Sequence, residues 1–519
     1  MAPRGPLTAE CNWLNLKGFL ETAVERNNPC ADREWCSAGG MPEDQGMLDT
    51  LGNAVRLARP EPWTIPALSP HGDSVLQIQD VKMHRSHAAA ASRRITMTCM
   101  LFFAASAAFG VSVSHAADAA ISQAREILKR HPLIDSHNDL PWVIRENGKP
   151  PRDVAAYDLG AHTAGDTDLA RLRAGGVGGV FWSVYVPSTP DAGARGFARI
   201  QLEQIDIALR VIERYPKDLA LALGADDIER ANAEGRIASL LGMEGGHAIE
   251  NSIGALRDFH RLGVRYMTLT HFNTVDWADS ATDVARHGGL SKFGEEVVWE
   301  MNRLGMLVDI SHVSAETMND VLDIAAAPVI FSHSNARALS PTLRNVPDEV
   351  LARVPKNGGV VMVSFISLFA VQGDEHARWQ QAFERASGVK LGDAAYDEAL
   401  AKYTVAHPEP RATIADVADH VEHVRDVAGI DHVGIGADFF GEPAWMAAGL
   451  EDVSRYPELF AELIRRGWTE EALAKLARGN VLRVLRGAEQ AAAKLQKARA
   501  PSIATIEQLD RGQALPDKY

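Results

Sequence analysis

Five side chains stand at or just after the ends of short apolar runs and are of types that hold metal ions: His137, Asp139, Glu244, His312 and His333. In Asp135-Ser136-His137-Asn138-Asp139 the imidazole and the carboxylate are two residues apart, so on an extended segment both project to one side and can meet one ion. Glu244 lies between Gly242-Met243 and Gly245-Gly246-His247, and its glycine flanks let two ions approach one carboxylate. His312 ends Asp309-Ile310-Ser311 and His333 ends Phe331-Ser332, about one strand-helix unit apart, so neighbouring strands would aim both imidazoles into one mouth. Three imidazoles and two carboxylates are enough for two four- or five-coordinate sites sharing Glu244 and a hydroxide. Singly, each group has an ordinary reading. His-x-Asp is usually structural, Glu244 can be a solvated residue at a helix start, and a lone strand-end histidine can be a satisfied surface group. His247 reads as a supporting residue rather than a ligand.

Three further residues suit chemistry beside such ions. His271 ends Leu269-Thr270 and, with enough ligands already present, is better used to contact a substrate or stabilise an oxyanion; otherwise it caps the strand. Asp438, after Gly434-Ile435-Gly436-Ala437, would face the metals and suits proton shuttling. Arg344, in Leu343-Arg344-Asn345-Val346-Pro347, offers a fork that binds a carboxylate through two hydrogen bonds, although a loop arginine is most often simply solvated.

These residues need a scaffold that brings strand ends together. From about residue 120, helical periodicity alternates with short apolar runs. Eight strands are expected: Pro132 to Asp135, Gly179 to Val186, Ala238 to Met243, Tyr266 to Thr270, Met306 to Ile310, Pro328 to Ser332, Gly359 to Phe365, and His432 to Ala437. Two helix ends, Phe259 to Gly263 and Met301 to Gly305, close alike on glycine, and each leads into a strand that finishes in histidine. Eight such units predict an α/β fold, a (β/α)8 TIM-like barrel whose strand C-termini carry the chemistry. The alternative, an open doubly wound sheet, lacks its Gly-x-Gly-x-x-Gly fingerprint after the first strand. Tyr456 to Arg466 and Thr469 to Leu485 are expected as two C-terminal closing helices, and residues 372 to 412 as a helical insertion or lid.

The chain has 519 residues, of which 46% are hydrophobic and 23% charged, enough for a sizeable core. A net charge of -15 leaves no basic face for nucleic acid or anionic lipid. Arg93-Arg94, the apolar run Met97 to Val113 and the small residues up to Ala117 have the order of a cleavable export signal, assigned to 83–116, and Ser92-Arg93-Arg94 hints at twin-arginine export. The competing reading is a membrane anchor. Residues 1–82 do not fit in front of such a signal and read as a non-native or disordered extension, with Met83 the expected start. Cys11, Cys30, Cys36 and Cys99 all precede the cleavage site, so the mature chain would form neither disulfides nor thiolate metal sites. A barrel over 117–490 and a polar tail over 491–519 complete the expected organisation. The expected location is the bacterial periplasm or the medium, without membrane association after cleavage, and both monomer and homodimer remain open.

His137-Asn138-Asp139-Leu140-Pro141-Trp142, Glu244-Gly245-Gly246-His247, Leu269-Thr270-His271, Ser332-His333-Ser334 and Arg344-Asn345-Val346-Pro347 together resemble, in order, the signature segments of the membrane (renal) dipeptidase family over roughly residues 120 to 490. The resemblance implies two Zn2+ per chain. One would be held by His137, Asp139 and Glu244, the other by Glu244, His312 and His333. It also implies hydrolysis of dipeptides, often with a D-residue at the C-terminal position, by a hydroxide bridging the metals. His271 would polarise the scissile carbonyl, Arg344 hold the terminal carboxylate, and Asp438 relay the proton to the leaving amine. Phe440 departs from the pattern, standing where the family usually has a second Asp after Asp438-Phe439. Imidazole and carboxylate ligands favour zinc without excluding cobalt or manganese. The rival enzyme is another binuclear, amidohydrolase-like barrel acting on a cyclic amide, against which His137-x-Asp139 and Glu244 speak. The rival of another class is a catalytically silent, metal-stabilised binding protein.

Overall fold

Short runs such as Ile237–Glu244 and Val360–Val363 carry apolar side chains on both faces, which only a sheet covered on both sides can bury. In the computed structural model, which describes residues 119–147, 152–188, 196–389 and 395–510, nine such runs form parallel strands. They are β1 (Leu133–Asn138), β2 (Val177–Ser183), β3 (Leu219–Leu221), β4 (Ile237–Glu244), β5 (Val264–Thr268), β6 (Leu307–Asp309), β7 (Ile330–Phe331), β8 (Val360–Val363) and β9 (Val433–Ile435). β1 pairs with β2 on one side and β9 on the other, β2 pairs with β4, and each strand from β4 to β9 pairs with the next. Eight strands therefore close on themselves into the expected barrel.

The eight predicted strands are these eight, offset by a few residues at their ends. The ninth, β3, is additional. It pairs only with the first half of β4, where Ala238 also pairs with Gly179 of β2, so β3 occupies the edge that β5 takes farther along. Its sequence, Leu-Ala-Leu followed by Ala222, Leu223 and Gly224, is too short to declare a period.

The helices between strands are amphipathic and capped. Ser291, Ser314 and Thr413 each accept a backbone N–H at the start of Lys292–Leu304, Ala315–Ile324 and Ile414–Ala428. The barrel interior is filled by Ile134, Phe181, Leu240, Tyr266 and Met362, and this cluster continues into Val481, Val484 and Leu485 of helix Asn480–Ala498. That helix closes the end of the barrel away from the strand C-termini. With Tyr456–Arg465 it supplies the predicted closing helices. The expected boundary at residue 490 falls inside it, and Asp510 accepts from Ser291 Oγ at 2.6 Å, so the chain past 490 packs against the barrel. Residues 372 to 412 carry helices Glu375–Ser387 and Tyr396–Ala406, the expected insertion. Among the described residues no helix is long and apolar enough to cross a membrane. The expected extension 1–82, the signal 83–116 and all four cysteines lie outside the described residues.

Candidate metal centre

All five predicted ligands meet at the C-terminal mouth of the barrel, and all are buried. Glu244, the last residue of β4, is the hub. Its Oε2 lies 3.4 Å from His137 Nε2, and its Oε1 lies 3.1 Å from His312 Nε2, 3.3 Å from His333 Nε2 and 3.7 Å from His271 Nε2. Asp139 Oδ2 is 3.4 Å from His137 Nε2, and Asp438 Oδ1 is 3.7 Å from the same nitrogen. Three overlapping sets of potential ligands result: His137, Glu244 and His333; Glu244, His271 and His312; and His137, Asp139 and Asp438. His271 and Asp438 therefore fall within the potential ligand sets beside the five predicted residues.

Two site residues have strained backbones. His312 and Asp438 have φ of 66° and 71°, a left-handed conformation unusual for residues with a side chain. Asp135 holds the other end of this arrangement. Its Oδ1 accepts from the amides of Ala437 at 2.9 Å and His137 at 3.3 Å, and its Oδ2 from Tyr456 Oη at 2.6 Å. Burial pushes its carboxyl up to about 6, with these hydrogen bonds opposing. The amide of Asp139 donates to Phe439 O at 2.7 Å and that of Asp438 to His137 O at 3.2 Å, which joins the two strand ends that carry the ligands.

Outer contacts fix the ligand rings. His333 Nδ1 is 2.7 Å from Ser332 Oγ, which donates to Asp309 Oδ2 at 2.6 Å. Asp309 also accepts from the amides of Ser332 at 2.8 Å and Ser311 at 3.1 Å. With Nδ1–H directed at Ser332, the Nε2 lone pair of His333 faces Glu244. His137 Nδ1 is 2.8 Å from Tyr266 Oη. Neither Tyr266 nor the Ser332-Asp309 pair is singled out by the sequence. The available signal was a carboxylate closing β6, three residues before a ligand.

The electrostatics suit cations. Burial, then the Arg344 guanidinium and neighbouring imidazoles, keeps His312 well below the usual histidine range. For His333 and His271 burial leads and is joined by neighbouring imidazoles and Arg344, with the same result. Neutral imidazoles are the form that binds metal. Burial, with Asp139 and Glu244 nearby, raises Asp438 well above the usual carboxylate range against the pull of His137. A metal fits these residues: His137 Nε2 and Asp139 Oδ1 are buried and have no hydrogen-bond partner in the protein. Among three carboxylates and four imidazoles, such atoms call for a cation.

Arg344 is completely buried, not solvated. Nη1 donates to Ser334 Oγ and Nη2 to His333 O, each at 2.7 Å, while Nε has no partner in the protein. Burial lowers its pKa to about 10, which still leaves it charged at neutral pH. His420 holds this loop from behind, with Nδ1 accepting from the Ala336 amide at 3.1 Å and Nε2 3.2 Å from Ala370 O. Across the mouth, Trp142 meets Tyr185 edge-on, and Tyr185 meets His271 edge-on. Phe440 is buried edge-on to Trp445, and the carboxylate beside it, Asp166, accepts the Gly441 amide at 2.6 Å.

The sequence profile of the membrane dipeptidases, peptidase family M19, matches residues 121–499. Among solved structures, a probable dipeptidase, PvdM, from Pseudomonas aeruginosa superposes with a TM-score of 0.63 at 24% identity, over 72% of this chain and 99% of that one. A metallopeptidase described as dipeptidase AC gives 0.55 at 27% identity, over 69% and 98%. A metallopeptidase from Rhodobacter sphaeroides, solved with a phosphinate mimic of the dipeptide L-Ala-D-Ala, gives 0.56 at 26% identity, over 69% and 99%.

Proposed function

The chain belongs to the membrane dipeptidase family and is a metallopeptidase, and on that premise we propose that it cleaves the peptide bond of dipeptides, including those with a C-terminal D-residue, with two zinc ions. The observation that carries this reading is the convergence of four imidazole Nε2 atoms on Glu244, at 3.1 to 3.7 Å. The D-residue preference is supported by the L-Ala-D-Ala mimic bound to the Rhodobacter sphaeroides metallopeptidase.

His137, Asp139 and Glu244 would hold one ion and Glu244, His312 and His333 the other. Ions held there would polarise the scissile carbonyl and lower the pKa of a bound water. The rest of the chemistry falls to side chains. His271, kept neutral by burial, donates a hydrogen bond to the carbonyl oxygen as negative charge develops there. Asp438, whose Oδ1 lies 3.7 Å from His137 Nε2, would take the proton of the attacking water as a carboxylate and return it to the leaving amine. Arg344 directs its unpartnered Nε, and the remaining hydrogen of Nη2, at the terminal carboxylate. A fixed guanidinium at one end and the hydrolytic group at the other set the substrate length at two residues. Export of the mature chain belongs to the same proposal and is supported by the signal-like order of residues 83 to 117.

The test is a panel of L,L- and L,D-dipeptides, tripeptides and cyclic amides offered to the zinc-loaded protein. Dipeptides are expected to be cleaved and tripeptides spared. Cleavage of cyclic amides without dipeptides would favour the amidohydrolase-like alternative.

A further inference from the structure

We propose that Tyr266 is a positioning residue for His137, fixing its imidazole as the Nδ1–H tautomer so that one of the two metal positions depends on this phenol. The inference rests on the metal-holding reading of the site. Tyr266 Oη is 2.8 Å from His137 Nδ1 and 3.1 Å from the carbonyl oxygen of Ser136. A carbonyl can only accept, so the single hydroxyl proton goes to Ser136 O and the oxygen accepts from His137 Nδ1–H. Nε2 is then left with its lone pair toward Asp139 and Glu244, both at 3.4 Å. The opposite tautomer would place a proton between Nε2 and the ion and leave Ser136 O without the phenol.

The phenol cannot turn away. Tyr266 is fully buried inside the barrel, with its ring 5.3 Å from that of Phe181. On another side lies Gly242, where a Cβ would come within 2.0 Å of the tyrosine Cζ, so the absence of a side chain on β4 is what admits the ring. The Tyr266 and His137 rings are inclined by only 22°. β1 thus orients its own ligand through a residue of β5.

The partner ligand is oriented differently. His333 leans on Ser332, which hands its proton to the Asp309 carboxylate, whereas His137 leans on a hydroxyl backed only by a carbonyl. The two metal positions are therefore anchored by separate contacts, one on β5 and one on β6 and β7, and can be weakened separately. Loss of such an outer contact typically lowers metal affinity about 10- to 100-fold.

Two readouts test this. Nitrogen-15 NMR of the histidine rings in the metal-free protein, at a pH high enough to leave the His137 ring neutral and with its signal assigned by its loss in His137→Gln, should show Nδ1 protonated in the wild type and a mixture of tautomers in Tyr266→Phe. Zinc titration against a chromophoric chelator should show one equivalent weakened about 10- to 100-fold in Tyr266→Phe and the other equivalent weakened in Ser332→Ala. A neutral wild-type ring protonated on Nε2, or two unchanged equivalents in a folded Tyr266→Phe, would overturn the proposal. If Tyr266→Phe does not fold, the wild-type tautomer decides alone. Absence of zinc binding by the wild type would instead refute the metal reading, and the ring spectrum would still decide the role of Tyr266.

Discussion

His312 Nε2 and His333 Nε2 stand 2.9 Å apart, and both also face Glu244 Oε1. Burial keeps both rings neutral and Ser332 claims the Nδ1 proton of His333, so its Nε2 has no proton to offer. The His333 lone pair and the Glu244 carboxylate therefore share the one proton that His312 Nε2 can offer, and a cation among the three atoms would satisfy all of them at once. Zinc should therefore raise the melting temperature, by an amount equivalent to about 2.7 kcal/mol for each site whose free ion is 100-fold above its dissociation constant. Glu244→Ala, which removes the hub, should melt at the same temperature with and without zinc. Calorimetry of both proteins, stripped and reloaded, checks this.

Arg344 uses one hydrogen each of Nη1 and Nη2 inside the protein, and its buried Nε has no partner there, the group that the proposed function gives to the substrate carboxylate. Lysine retains the charge but cannot hold Ser334, His333 O and a carboxylate at once. Arg344→Lys is expected to raise KM for dipeptides by about 10- to 100-fold, the worth of a charge-assisted hydrogen bond. Steady-state kinetics with metal content measured in parallel separates a loss of substrate grip from a disturbed His333.

His420 accepts the Ala336 amide on Nδ1, so protonation would break a bond that secures the Arg344 loop. Burial is the main cause that lowers its pKa from 6.5 to about 4. Because the folded value lies below the unfolded one, this contribution is complete above pH 6.5 and is lost as pH falls toward 4. The loss amounts to about 3 kcal/mol at its full extent. His420→Gln can still accept from Ala336 and donate to Ala370, and should flatten that part of the profile. Melting temperatures of both proteins between neutral pH and pH 4 provide the comparison.

Gly242 and Tyr266 share one space in the barrel interior. Gly242→Ala brings a methyl group within 2.0 Å of the Tyr266 ring and should cost about 1–3 kcal/mol of stability as an overpacked core. A variant that melts with the wild type would show that the ring can yield. Zinc titration of the same variant should report a weakened position, because the displaced phenol also serves His137.

The strand ends are legible because potential ligands sit where apolar runs stop, and a closed parallel barrel gathers all such ends at one face. His137, Glu244, His271, His312, His333 and Asp438 were found in this way and do converge. β3 was not legible, since three residues beside an existing strand leave no periodic trace. The supporting contacts were hidden for a different reason. Tyr266 is distant in sequence from His137, and an inward-facing aromatic on a strand reads as core. Arg344 is offered by the sequence as a carboxylate binder or a solvated loop residue, and only packing reveals that its guanidinium is buried beside Phe369, with Cζ 5.3 Å from the ring centre. The left-handed φ of His312 and Asp438 has no sequence signal, because neither residue is glycine.

The most direct test of the central claim is hydrolysis of one L,D-dipeptide by the protein as purified, after chelation and dialysis, and after zinc is restored. Activity should vanish with the metal, return on addition of about two equivalents per chain, and fall by roughly three orders of magnitude or more in Glu244→Ala. Undiminished cleavage by the stripped protein, or by Glu244→Ala, would contradict the account.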